Sequence, residues 1–103
     1  MRPFVPAQTA ALAAALIAVS SPACAWSGQA MEKSAKISMT QASAIALKAR
    51  PGAITDRELE REGGGSGLRY SFDVKSGDAV YEVGVDAMTG KVLENSKEGP
   101  NPD

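Results

Sequence analysis

The sequence has no histidine and one cysteine among 103 residues. Without histidine there is no imidazole general base, no His-based triad and no His metal ligand. One cysteine cannot close an internal disulfide, and it leaves no zinc site built from Cys and His. Aromatic residues make up 5% of the chain, and the formal net charge is −1. A balance so near neutral gives no drive toward nucleic acid. Apolar residues are also unevenly spread. Residues 1–25 hold 17 of the 45 apolar side chains, and the other 78 residues hold 28, nine of them alanine. The foldable part is therefore one small, polar domain with a thin core.

What the chain does have begins with an address. Arg2 and the amino terminus are positive, and residues 10–19 form an uninterrupted apolar run. Pro22 breaks the run, and Ala23 and Ala25 present small side chains at the two positions a signal peptidase reads. Residues 1–25 are expected to be a cleaved Sec-type signal peptide, and the product to be periplasmic or secreted. The run is too short to serve as a membrane anchor. Acylation of Cys24 fits badly, because Ser21-Pro22-Ala23 lacks the residue a lipoprotein signal places three before its cysteine. Cleavage after Ala25 leaves a mature chain with no cysteine, 10 basic and 12 acidic residues, and no membrane span.

The mature chain opens with residues 26–36, small and polar without a clear period, expected to be a flexible leader. Residues 38–50 predict a helix. Ser38 and Gln41 make a capping box, and Ala42, Ile45, Ala46 and Ala49 form one apolar stripe. Pro51-Gly52 stops it. Residues 54–62 fit two templates. A second capping box, Thr55 with Glu58, favours a helix. Strict alternation favours a strand with Asp56, Glu58, Glu60 and Glu62 on one face and Arg57, Leu59 and Arg61 on the other. Gly63 to Gly67 is a loop. Leu68, Tyr70, Phe72 and Val74 alternate with polar residues, as do Ala79, Tyr81, Val83, Val85 and Ala87, so two strands form a hairpin. Lys91 to Glu94 is a short last strand, and residues 95–103 are expected to be a disordered tail.

No catalytic constellation emerges. The glycine run opens a strand rather than a helix, so it does not cradle phosphate. Ser66 lacks a glycine two residues on, so it is no nucleophile elbow. Residues 73–78 lack the spaced acids of a calcium loop. No acid is matched to a base, and the chain is expected to be neither an enzyme nor a holder of cofactor or metal. The candidate partner-binding residues are Asp56, Glu58, Glu60 and Glu62 with the loop glycines Gly64 and Gly65. The plainer account of the carboxylates is a charged strand that resists edge-to-edge aggregation. Asp86 is expected to bond local amides, and Gly90 to take a positive φ.

One line of residues is informative as a set: Ile37-Ser38, Ala42, Ile45-Ala46-Leu47, Pro51-Gly52, Leu59, Tyr70, Phe72, Val74, Tyr81-Glu82-Val83, Val85-Asp86-Ala87 and Thr89 to Leu93. In this order the chain from Ile37 to Glu94 resembles a PepSY domain. The resemblance implies an α+β fold, one helix packed on a three- to four-stranded antiparallel sheet, related in shape to beta-lactamase inhibitory protein. Pro51, Gly52, Tyr81, Val83, Asp86 and Gly90 are then structural motif residues. The family occurs in propeptides of secreted metallopeptidases, in spore-germination proteins, and beside bacterial membrane sensors and reductases. It implies a binding module without catalytic residues. With no protease domain in this sequence, the expectation is a module that restrains a peptidase in trans. The alternative is an extracytoplasmic sensor or accessory subunit that binds a small ligand or cation next to a membrane protein. A thin core and open sheet edges leave a weak homodimer open.

Overall fold

The computed structural model describes residues 25–99. The expected signal peptide up to Cys24 and the last four residues lie outside that span. In chain order come a 3-10 helix (Gln29–Ser34), helix α1 (Met39–Ala49) and strands β1 (Ala53–Arg61), β2 (Leu68–Ser76), β3 (Ala79–Asp86) and β4 (Val92–Lys97). The four strands lie side by side in sequence order and pair antiparallel throughout. The helix packs across the sheet, so the architecture is the α+β layer expected from the sequence.

Local chemistry explains why α1 starts and stops where it does. Gln41 N–H donates to Ser38 Oγ at 3.1 Å, and Ser38 N–H donates to Gln41 Oε1 at 2.9 Å, completing the predicted box. Glu32 adds a second cap, accepting Met39 N–H at 2.8 Å. Arg50 closes the last turn by donating its N–H to Ala46 O, and Pro51 follows. The buried face of α1 is Met39, Ala42 and Ala46. Two alanines with no exposed surface let the helix approach Tyr70, Phe72, Val74, Val83 and Val85, all 0–1% exposed.

Of residues 54–62, all but Glu62 are strand. The strand implied by the resemblance is formed, and tertiary pairing overrides the helix cap at Thr55: Leu59, opposite Tyr70, is 2% exposed at the centre of the sheet. A register shift between Ile54 and Asp56 accompanies the pairing. Strict alternation would place Ile54 with the carboxylates. The extra residue, Thr55, resets the phase, sets Ile54 opposite Val74 and returns it to the core side.

Two segments hold more structure than their composition suggests. The expected leader carries the 3-10 helix, with Trp26, Met31 and Ala35 packed against the core. Trp26 meets Tyr70 edge to face, with ring centroids 6.2 Å apart, and the N–H groups of Lys36 and Ile37 both donate to Ala87 O. At the other end β4 runs on to Lys97, where the tail was expected to begin at Asn95. Asn95 is tied at two points. Its Oδ1 accepts from Arg50 Nε at 3.1 Å, and its Nδ2 donates to Ala49 O at 3.2 Å.

Candidate functional site

The sheet has two unlike faces. α1, Trp26 and the 3-10 helix lie on the side of Leu59, Tyr70, Phe72, Val83 and Val85. Among the described residues no helix or strand crosses the other side. Register sets its composition. Asp56 stands opposite Asp73, Asp73 opposite Glu82 and Glu82 opposite Ser96. In the next row Glu58 stands opposite Ser71, Ser71 opposite Gly84 and Gly84 opposite Glu94. Glu60 stands opposite Arg69, and Lys75 completes the basic share of this face. Neighbouring strands are about 4.8 Å apart, so these carboxylates feel one another.

Their acidities record it. Burial is the first cause that raises the Glu58 pKa above 4.5, followed by Glu60, through its charge and a hydrogen bond, and by Asp56 and Asp73. Burial likewise leads in raising Glu82, followed by Glu94, Asp73, Glu98 and Glu60. Compensation is local. Ser71 Oγ donates to Glu60 Oε2 at 2.7 Å. Arg69 lies across Gly84, where a Cβ would come within 3.0 Å of its Cδ. From there its Nη1 reaches Glu94 Oε1 at 3.3 Å and its Nη2 donates to Gly63 O at 3.3 Å.

The six candidate partner-binding residues do not form one cluster. Asp56, Glu58 and Glu60 share the open face. Glu62 lies past the end of β1, exposed, with its N–H closing the loop onto Gly67 O. Gly64 and Gly65 sit in a loop that Asp86 holds down. Ser66 donates its N–H and its hydroxyl to the Asp86 carboxylate at 2.7 and 2.8 Å. Gly65 has φ 58, and a Cβ there would run into Asp86 Oδ2. It serves the packing of this junction.

The motif residues have structural work. Asp86 also accepts the N–H groups of Met88 and Thr89, shaping the turn to β4, as an acid before a turn should. Burial alone would raise its pKa, but the bonds from Met88, Ser66 and Thr89 outweigh it and hold the carboxyl below 3.8. Gly90 has φ 81 and returns its N–H to Asp86 O. Tyr81 lies under the Arg50 guanidinium, 3.7 Å from the ring centroid, beside the chain reversal at Pro51-Gly52. Val83 is fully buried. Tyr70 donates to Ile37 O at 2.7 Å, and burial, with Glu32 nearby, pushes its phenol up to about 12.

In the sequence, Asp73 and Glu82 fall among the polar positions of the two alternating strands, and Glu94 ends the expected last strand. Sequence reasoning did not gather them onto the face of Asp56, Glu58 and Glu60, because that assembly depends on register. Among the described residues no three carboxylates converge as a metal ion would require. None of the described helices is long and apolar enough to cross a membrane.

Comparison with known proteins follows the same boundaries. The family model described as PepSY, peptidase propeptide and YPEB domain, matches residues 36–95, more than half of the chain. No curated protein and no solved structure matches it.

Proposed function

Since the chain belongs to the PepSY family, we propose that it is a non-catalytic binding module that works outside the cytoplasm and restrains a peptidase in trans. The observation that carries this reading is the two-faced sheet. One face is used up by α1 and the segment before it. The other is free of covering elements among the described residues and is rich in carboxylates. Such a face offers charge complementarity to a basic surface, which governs orientation and association rate more than raw affinity. The family is as a rule propeptide-like or inhibitor-like rather than catalytic, which agrees with the lack of a matched acid and base. The apolar run at residues 10–19, taken as an export signal, would deliver the module to the compartment where secreted peptidases act.

Capture followed by kinetics tests the proposal. The full chain is immobilised, extracytoplasmic extract is passed over it, and each retained peptidase is assayed with the free chain added. Retention of a peptidase whose turnover falls on addition of the chain is the expected result. A variant with Glu58, Glu60 and Glu82 changed to Lys should retain at least about tenfold less of it. Loss of the reading follows if no retained peptidase is inhibited, or if the variant captures it equally well.

A further inference from the structure

The outer edge of β1 is already paired at one point. Ser27 forms a parallel bridge with Glu58, and Leu59 N–H donates to Ser27 O at 2.9 Å. At Gly28, with φ 86, the chain leaves the edge and enters the 3-10 helix. A fifth strand thus begins and ends within a single bridge. Beside the bridge, Ala25, Trp26 and Ser27 on one side and Ile54 to Glu58 on the other wall a cleft of about 590 Å³. Peptide groups alternate in direction along a strand. The N–H of Arg57 therefore points the same way as that of Leu59, away from β2 and into the cleft, while the Arg57 C=O faces Ser27 at the bridge. Thr55, Asp56 and Arg57 are all exposed.

We propose that the edge of β1 from Ile54 to Arg57 accepts an extended segment of a partner polypeptide as an added strand, with Lys or Arg at alternate positions. This rests on the reading of the chain as a protein-binding module and names where and how it binds. Charge selects the occupant. Asp56 and Glu58 lie on the open face, Arg57 and Leu59 on the other. A strand added at this edge sets its own side chains directly beside them, where opposite charges stabilise and like charges destabilise. On the open-face side it needs basic residues, and beside Arg57 small, apolar or acidic ones. A second copy of this chain is the wrong partner. An antiparallel pair of β1 strands that continues the sheet would set carboxylate against carboxylate on one face and arginine against arginine on the other. Backbone pairing supplies affinity in such augmentation, and alternate side chains supply specificity.

Trp26, the one tryptophan of the chain, forms part of the cleft wall and reports on its occupancy. The full chain is titrated with a blocked heptapeptide of alternating Lys and Thr, following Trp26 emission and amide hydrogen exchange at Arg57. Saturable emission change and slowed exchange at Arg57 are expected. N-methylation of the peptide amides on the pairing side should weaken binding about tenfold, through the loss of backbone hydrogen bonding. A Glu-Thr peptide should leave both signals unchanged. Arg57→Pro, tolerated on an edge whose N–H faces outward, should block the Lys-Thr peptide while preserving the fold. If the N-methylated peptide binds as tightly as its parent, the contact is with the acidic face alone. The edge proposal then fails, while the binding-module reading stands or falls with the capture experiment. Unchanged signals with every peptide also overturn the edge proposal.

Discussion

Asp86 is 2% exposed and holds two loops at once, the one before β2 and the one before β4. A hydrogen bond to a charged acceptor contributes more than a neutral one, and its loss leaves buried donors unpaired. Asp86→Ala should therefore destabilise the domain by about 3 kcal/mol, measured by urea unfolding. The native state of so small a domain is itself worth about 5 kcal/mol or little more, so the variant should be close to its midpoint in mild denaturant. The same residue sets the acid limb of stability. Its folded pKa is depressed below 3.8, so its contribution is present above that value and is lost as pH falls through the folded value. Glu58 and Glu82 work in the opposite sense. Their folded pKa values are raised above 4.5, so they favour the folded state below 4.5 and that contribution is lost as pH rises through the folded values. Thermal melting should accordingly peak in mildly acidic buffer, falling below it through Asp86 and above it through the two glutamates. A Tm that rises steadily to neutral pH would contradict this balance.

At the level of elements, the capping box is the clearest case of a signal that reads directly from neighbouring residues. Ser38→Ala removes the acceptor of Gln41 N–H and should cost about 1 kcal/mol, seen as a lower urea midpoint with an unchanged slope. The box, the alanine stripe and the β2–β3 hairpin were legible because each depends on residues close together in sequence. β1 was legible only in outline. Thr55-Asp56-Arg57-Glu58 satisfies a helix cap as well as a strand, and the choice is made by Leu59 finding Tyr70 across the sheet. The bulge at Thr55 was not legible, since nothing local tells a strand that Ile54 must change face. Trp26 was hidden for the same reason. A lone aromatic in a polar leader gives no period, and its partner Tyr70 lies 44 residues away. The carboxylate set showed the same limit. Asp56, Glu58 and Glu60 were visible as a run, whereas Asp73, Glu82 and Glu94 joined them only through pairing register. Glu62 left the set because the strand ends at Arg61.

Over the whole molecule, charge is segregated rather than abundant. The chain has a formal net charge of −1, yet Asp56, Glu58, Glu60, Asp73, Glu82 and Glu94 share one face, while Arg57 and Arg61 fall on the opposite side of β1. At physiological salt the screening length is about 8 Å, longer than the spacing between strands. Neighbouring carboxylates therefore act on a partner together, although their field does not reach far into solution. Burial first and the neighbouring carboxylates second raise the Glu58 and Glu82 pKa values, so keeping these charges on the face works against stability at neutral pH. The double variant Glu58→Gln with Glu82→Gln separates the two roles. It should melt higher than the native chain at neutral pH, because the repulsion and the burial of charge are both relieved. Toward a captured basic partner it should associate about tenfold more slowly at low salt, with a smaller salt dependence and little change in dissociation rate. A purely structural role predicts a different pair of results: an altered Tm with the association rate unmoved. Stopped-flow association at two ionic strengths, alongside melting of the same samples, decides between them. A variant that is both more stable and as fast to bind as the native chain would show that the acidic face is a solvated surface and not a docking one.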